Sequence, residues 1–332
     1  LATFKYMPFF LATYAGIAHS KPAAWHWTFP LGISFYCFQS LTYTIDLYRK
    51  DGKPVRSLLA HMTAVSFFPT TLSGPITRVL SLAPQLEKTT RVLTAEDGGR
   101  ALFRIGLGLM KKFLIADYLA ENLVNRVFDT PNLYTGLEAL IGVYAYGLQL
   151  YYDFSGYTDI AIGSALLLGL KLPENFNRPY QALNISEFWR RWHISLSNWL
   201  RDYLYFSLPG LRSKWKAFTY LNLFLTMLLG GLWHGASWNF VIWGAMHGGA
   251  LAAHHGWRTW RGNPKPSANR WVRIASQVGT AHFVLLAWVF FRASTLPEAW
   301  AVLSRVASLT ASLANISMPL AVVIAIALVV HY

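Results

Sequence analysis

The sequence predicts an all-α, polytopic membrane protein, and two observations support this prediction. Of the 332 residues, 54% are hydrophobic and only 13% are charged, whereas about 25% of the residues in an ordinary soluble domain are charged. The charges also leave long gaps, and the uncharged runs cover residues 22–45, 57–77, 217–257, 274–291 and 306–332. A transmembrane helix needs about 20 mostly apolar residues, and these runs are continuous rather than alternating, which is typical of buried or membrane helices.

Weaker candidate segments are interrupted or separated by charges. Residues 102–119 contain two lysines, and residues 137–152 and 160–170 are separated by Asp153 and Asp159. When these are included, we expect about eight to ten membrane-embedded segments. Some of them would be broken or re-entrant helices around a central cavity.

The net charge of +14 fits this organisation, because the basic residues cluster between apolar runs, at 49–56, 212–216 and 258–273. Lys and Arg accumulate in cytoplasmic loops, whereas a nucleic-acid binder concentrates them on one soluble face. We therefore expect the lipid bilayer, and no nucleic acid, as a partner. No internal repeat or soluble domain is evident, so residues 1–332 are predicted to form one membrane domain. A single cysteine, Cys37, excludes a disulfide framework and a Cys-based zinc site.

The longest uncharged run, residues 217–257, contains the strongest catalytic candidate. A helix that starts at its beginning would reach Gly230 and Gly231 after about 20 Å, short of the roughly 30 Å hydrocarbon core, so the glycine pair predicts a helix break. His234 would then lie inside the protein beside that break, where an imidazole can act as a general base. The alternative is a core histidine, with glycines that allow close helix packing. For His247 this structural interpretation is the stronger one.

A second histidine, His193, lies on a predicted amphipathic helix over residues 187–205. The helix is predicted from apolar side chains at spacings of three and four, and it would lie in the membrane interface rather than span the bilayer. The apolar stripe comprises Trp189, Trp192, Leu196, Trp199 and Tyr203. His193 is either a second histidine of the same cavity or an interfacial side chain. Arg190 and Arg201 would bind a phosphate or carboxylate, or extend to lipid phosphates.

Two acids, Asp153 and Asp159, lie between apolar segments, where an unpaired charge is costly. We expect Arg178 or Arg190 to neutralise them, and we favour this structural pairing over direct catalysis. Residues 175–180 are predicted to form an irregular loop, because the proline after Arg178 disfavours helix there. Such a loop would line the entrance of the cavity.

Taken in order along the chain, these segments resemble the membrane-bound O-acyltransferase superfamily. The resemblance is greatest to its bacterial branch, whose members acylate alginate, peptidoglycan and teichoic acids. It covers nearly the whole chain, and several short motifs in the right order are far more specific than any one of them. The similar stretches are residues 30–35, 73–76, 152–163, 177–180, 188–205, 230–239 and 290–293.

The resemblance implies a multi-pass protein of the bacterial inner membrane that transfers an acetyl group to a cell-surface polysaccharide, with alginate-type exopolysaccharide as the expected acceptor. The implied donor is acetyl-CoA, used as a co-substrate with no bound cofactor, and the implied protein partner is a periplasmic acetyltransferase. The family's essential histidine corresponds to His234, and its second implicated histidine corresponds to His193. The expected substrate contacts are Trp233, Asn239, Arg190, Arg201, Asp153 and Tyr152.

Two further expectations concern the chemistry. Backbone N–H groups freed at Gly230 and Gly231 would stabilise the oxyanion of the transition state. No metal is expected, because two distant histidines without a cysteine or third ligand make a poor zinc set.

Rival functions remain open at this stage. Peptidoglycan or another cell-wall polymer is an alternative acceptor. A transporter or flippase would also suit the intramembrane acids and the broken helix, although no inverted repeat is evident, and a non-catalytic scaffold is a third class. Because the chain starts at Leu1 and stops at Tyr332 within an apolar run, both ends are expected to be truncated.

Overall fold

The computed structural model describes residues 2–25, 27–28, 30–88, 93–210, 215, 217–265 and 267–331, and the regular elements in these ranges are all helical. This confirms the all-α prediction. Short π-helical or 3₁₀ turns adjoin several of the α-helices. The α-helices are α1 (Met7–Ile17), α2 (Ile33–Arg49), α3 (Leu58–Val65), α4 (Phe68–Thr71), α5 (Val79–Leu86), α6 (Ala95–Met110), α7 (Asn125–Asp129), α8 (Gly136–Leu167), α9 (Ile185–Arg191), α10 (Ile194–Trp199), α11 (Ala217–His234), α12 (Trp238–Trp260), α13 (Arg270–Arg292), α14 (Leu296–Ala307) and α15 (Met318–His331).

Within the described ranges, α13 is the one helix whose length and composition suffice to cross a membrane, and α15 is apolar but shorter. The number of spans thus stays a prediction. Some uncharged runs are not single helices. In the run 22–45, the described residues 22–25, 27–28 and 30–32 are not helical, and residues 57–77 contain both α3 and α4. An absence of charged residues shows only that a segment is apolar. Turns and short helices can be as apolar as membrane spans. Of the predicted basic clusters, the one at 212–216 falls mostly outside the described residues.

Helix α8 is 32 residues long, which corresponds to about 48 Å. A capping box fixes its start, because the Thr135 hydroxyl accepts from the Glu138 N–H and the Glu138 carboxylate accepts from the Thr135 N–H. The two apolar segments predicted here are therefore one helix, with Asp153 and Asp159 inside it. Helix α6 packs closely along it, since a Cβ at Gly156 would lie only 2.7 Å from a main-chain oxygen of α6.

Helices α11 and α12 are the two helices predicted for residues 217–257. The predicted break at the glycine pair is wrong, because α11 continues through Gly230 and Gly231 and ends at His234. The chain turns at residues 235–237 instead. Gly231 allows close packing of the two helices, since a Cβ there would lie 2.3 Å from the Phe240 carbonyl oxygen on α12. The alternative interpretation of the glycines, close helix packing, is the correct one.

The predicted amphipathic helix is not continuous. Helix α9 ends at Arg191, α10 begins at Ile194, and His193 between them adopts a left-handed backbone with φ of 41°. The adjacent loop holds both sides of this break, because the Ile194 N–H donates to the Asn175 carbonyl and the Asn177 N–H donates to the Arg191 carbonyl, each at 2.9 Å. These tertiary bonds override the helical periodicity. The side chains of the apolar stripe, which were expected to face the membrane interface, are buried within the protein, at Trp189, Trp192, Leu196, Trp199 and Tyr203.

Candidate active site

A cavity of about 510 Å³ lies where the N-terminal turn, α2, α8, α11 and α13 meet the break between α9 and α10. We call it the central cavity. Aromatic rings form much of its wall. Its charged, hydroxyl and imidazole side chains are Lys5, Ser34, Ser73, Lys112, Asp153, Tyr157, His193 and His234. The fold therefore brings the two histidines singled out in the sequence to one cavity.

His234 is the last residue of α11 and is partly exposed. Its imidazole packs among aromatic rings, with centroid distances of 4.9 Å to Trp233, 5.3 Å to Trp243 and 5.1 Å to Phe291. No hydrogen bond joins its ring nitrogens to another residue in the described part of the chain. Its ring nitrogens therefore remain available to exchange a proton with a hydroxyl in the cavity.

His193 is only 2% exposed and is held by a hydrogen-bond network. Its Nδ1 lies 3.3 Å from Oδ1 of Asn175, which also accepts from the main-chain N–H of Ser195 at 3.1 Å and from the Ser195 hydroxyl at 2.7 Å. A main-chain N–H can only donate, so the orientation of the amide is fixed and Nδ1 of His193 must carry the proton. Nε2 is then the ring nitrogen left to accept a hydrogen bond.

The environment of His193 also keeps its ring neutral. His193 lies between α9 and α10, whose seven and six residues are too few to span a membrane. Burial lowers the pKa of His193 well below its ordinary value, and the His234 imidazole lowers it further. A neutral ring with a fixed tautomer is suited to positioning a hydroxyl group.

Both acids of α8 are paired, although not with the cations that the sequence suggested. Asp159 accepts from Nε of Arg104 at 2.8 Å and from Nζ of Lys111 at 2.6 Å. Asp153 lies 2.6 Å from Nζ of Lys112. The partners come from α6 and the turn after it because these pack along α8. The pairings expected from the sequence were therefore wrong. The two arginines that were expected to form them, Arg178 and Arg190, are exposed.

The two lysines of the central cavity differ in their surroundings. Lys112 is bound by two carboxylates, those of Asp153 at 2.6 Å and Asp117 at 2.8 Å. Lys5 instead donates to the main-chain carbonyl of Trp233 and lies 3.5 Å from the Ser34 hydroxyl. Among the described residues, no carboxylate forms an ion pair with Lys5.

The other predicted substrate contacts have varied positions. Trp233 lines the central cavity. Tyr152 is fully buried and donates its hydroxyl to a main-chain carbonyl of α15 at 2.5 Å, and Asn239 donates to the carbonyl just after α13 at 2.6 Å. Arg190 is exposed, and Arg201 pairs with the adjacent aspartate beside a second cavity of about 450 Å³. The structure brings none of these last four into the central cavity.

His247 has the structural position expected for it. It is fully buried, and its Nδ1 accepts a hydrogen bond from the Trp189 indole N–H at 3.2 Å. Its ring lies 4.8 Å from that of Trp243. The residue therefore packs α12 against α9.

Lys5, Lys112 and Asn175 are among the polar residues of the site that were not predicted from the sequence. Lys5 is the first charge in an otherwise apolar N-terminal stretch, which was the available signal. Lys112 was treated only as an interruption of an apolar segment. Asn175 gave no signal, because its role depends on contacts with a helix break that the periodicity did not reveal.

Comparison with known proteins places the chain in a family. The model of the membrane-bound O-acyltransferase family matches residues 55–295. A probable alginate O-acetylase AlgI from Azotobacter vinelandii is 46% identical over 275 residues, which are 83% of this chain and 53% of that protein. The Pseudomonas aeruginosa protein of the same name is also 46% identical, over 83% of this chain and 51% of its own length.

A relative with another printed function covers more of the chain. The peptidoglycan O-acetyltransferase of Helicobacter pylori is 38% identical over 93% of this chain and 62% of its own length. The chain thus spans about half the length of the AlgI proteins that it matches. Because the family model matches well over half of the chain, the chain belongs to the membrane-bound O-acyltransferase family.

Proposed function

We propose that this protein is a membrane O-acyltransferase that passes an acetyl group from acetyl-CoA towards hydroxyls of an alginate-type polysaccharide. The observation that carries the proposal is the central cavity, which is lined by both His193 and His234. The similarity to the two alginate O-acetylases supports the choice of donor group and polymer.

In the proposed reaction, an acceptor hydroxyl attacks the carbonyl carbon of the thioester while His234 accepts the hydroxyl proton. His193 positions the acceptor, because Nε2 is its free hydrogen-bond acceptor. When the tetrahedral intermediate collapses, the C–S bond breaks and the thiolate takes the proton back from His234. The surroundings of each histidine support its proposed role. His234, which lies among aromatic rings, exchanges the proton, and His193, which Asn175 holds in place, positions the acceptor.

The proposal also includes the membrane arrangement. The protein would be a multi-pass protein of the bacterial inner membrane, with α9 and α10 near the interface and acetyl-CoA approaching from the cytoplasm. A periplasmic acetyltransferase would receive the acetyl group and complete the modification of the polymer. The basic clusters between apolar runs support this orientation.

The test uses the protein in proteoliposomes with radiolabelled acetyl-CoA, an alginate oligosaccharide and the periplasmic acetyltransferase partner. We expect His234→Ala to lower acetyl transfer by at least about a hundredfold, in the range typical of a lost general base. His255→Ala is the matched control, since His255 lies exposed on α12, away from the cavity, and it should retain full activity. Unchanged transfer by His234→Ala, in protein that inserts normally, would contradict the proposal.

Two outcomes would favour other functions. Transfer to peptidoglycan fragments but not to alginate oligosaccharides would favour the second acceptor, which the coverage of the Helicobacter pylori relative supports. Movement of an intact solute across the vesicle membrane, without acetyl transfer, would favour a transporter.

A further inference from the structure

Lys5 is a half-buried cation without an anionic partner in the described part of the chain. Its ammonium group donates to the main-chain carbonyl of Trp233 and lies 3.5 Å from the Ser34 hydroxyl. Both of these acceptors are neutral. An ammonium group has three donors, so one N–H remains for a ligand. A buried charge without a counter-charge is costly, and this cost points to an anion that is present only during function.

The other lysine of the cavity shows the contrast. Lys112 is bound by the two carboxylates of Asp117 and Asp153 and contributes no free positive charge. Because the two carboxylates balance its charge, Lys112 has a structural role and links α8 to the turn after α6. Of the lysines that line the central cavity, Lys5 is the one that still attracts an anion.

The position of Lys5 identifies which anion this is. Its ammonium group binds the carbonyl of Trp233, the residue directly before His234, and Nζ lies over the Trp233 ring, 5.7 Å from the ring centroid. The ammonium and the imidazole of His234 line the same cavity. Negative charge that develops at a carbonyl attacked beside His234 would therefore form next to this cation.

The main-chain donors first expected for this task are engaged elsewhere. Gly230 and Gly231 lie inside α11, which continues to His234, so their N–H groups belong to the helix. An oxyanion in the cavity needs another donor, and a charged donor in a site that excludes water is worth more than a neutral one.

We propose that Lys5 is a catalytic residue whose ammonium group stabilises the oxyanion of the tetrahedral intermediate. The acceptor oxygen forms a bond to the thioester carbonyl carbon, the π electron pair moves to the carbonyl oxygen, and His234 takes the hydroxyl proton. The ammonium of Lys5 holds this oxyanion without giving up a proton. The pair then returns, the C–S bond breaks, and the thiol leaves with the proton from His234. This inference rests on the proposed acyl transfer.

The experiment measures kcat and KM for acetyl transfer by the full protein in proteoliposomes. We expect Lys5→Met to lower kcat by about a hundredfold or more, the loss typical of a removed oxyanion donor, with little change in KM for acetyl-CoA. Lys5→Arg keeps the positive charge and should recover part of kcat. Lys21→Met is the control, because Lys21 is exposed, and its kinetics should not change.

A second measurement separates catalysis from folding. Ethylamine supplies an ammonium group, so increasing concentrations of ethylamine should raise kcat of Lys5→Ala while leaving the control variant unaffected. A Lys5→Met variant with unchanged kcat, or with a raised KM alone, would overturn the inference, since the latter indicates a ground-state anion site. If the unmodified protein transfers no acetyl group, the proposed acyl transfer itself fails; if it does and the Lys5 variants keep full activity, the role of Lys5 alone fails.

Discussion

Asn175 is the residue through which the loop before α9 holds His193 in place, and it offers a sharp test of the site. The residue is fully buried, and its Oδ1 accepts three hydrogen bonds, two from Ser195 and one from His193. Asn175→Ala removes that single acceptor. Three buried donors then lose their partner, and Nδ1 of His193 is no longer required to carry the proton.

The magnitude follows from these bonds. Each buried hydrogen bond contributes about 1 kcal/mol net, so Asn175→Ala should lower the free energy of unfolding by about 3 kcal/mol. The activity should fall by at least about tenfold, because 1.4 kcal/mol of lost positioning in the transition state already corresponds to that factor. Asn177→Ala is the matched control, because Asn177 is exposed in the same loop and should change neither quantity.

Asn175→Asp separates the positioning role from stability. The carboxylate keeps an acceptor for the Ser195 N–H, so much of the stability should return. Its negative charge favours the protonated form of the imidazole and raises the pKa of His193 from its lowered position. A neutral His193 is then reached only at higher pH, and the acidic limb of the kcat profile should move upwards. The assays are thermal unfolding in detergent and acetyl transfer as a function of pH. An Asn175→Ala variant with normal stability and activity, or an Asn175→Asp variant with an unchanged pH profile, would refute the reasoning.

The remaining predictions concern helix packing and ion pairing. Gly231→Ala should cost about 1–3 kcal/mol of unfolding free energy, because the new Cβ would lie 2.3 Å from a main-chain oxygen of α12. Gly249→Ala, with no atom within 4 Å of its Cβ, should be neutral or stabilising by up to about 1 kcal/mol; equal effects in thermal unfolding would contradict this packing. Asp159→Asn should cost about 3 kcal/mol, since it leaves the partly buried Lys111 without its carboxylate, while Arg104 keeps Glu174. Glu96→Gln breaks an exposed pair and should cost no more than about 0.5 kcal/mol, and a similar loss in both variants would argue against the buried pair.

The sequence predicted features that depend on local pattern. The spacing of the apolar stripe from Trp189 to Tyr203 is a property of the sequence itself, so the stripe could be recognised without knowledge of the fold. His234 lies at a helix end, but not beside the break that the sequence predicted at the glycine pair. The two glycines before it were expected to break the helix, and they instead allow α12 to approach. A glycine pair looks the same in the sequence whether it breaks a helix or allows two helices to pack closely. The position of the facing helix decides which of the two occurs.

Features that depend on distant contacts could not be predicted. The break at His193 is held by main-chain hydrogen bonds to Asn175 and Asn177, which no helical periodicity records. The partners of Asp153 and Asp159 were assigned to arginines near them in sequence. The true partners follow from the packing of α6 along α8, which brings together residues about 50 positions apart.

The two histidines differ in how firmly they are held, and this difference supports the roles proposed for them. His193 is fixed by a hydrogen bond at Nδ1 and by its place in a helix break, so it has one tautomer and one orientation. His234 is surrounded by rings that restrict its position without fixing its protons. A group that accepts and then returns a proton needs that freedom, whereas a group that positions a substrate needs the opposite. Their placement in one cavity supports both proposed roles, and the proposed role of Lys5 adds a positive charge to the same cavity.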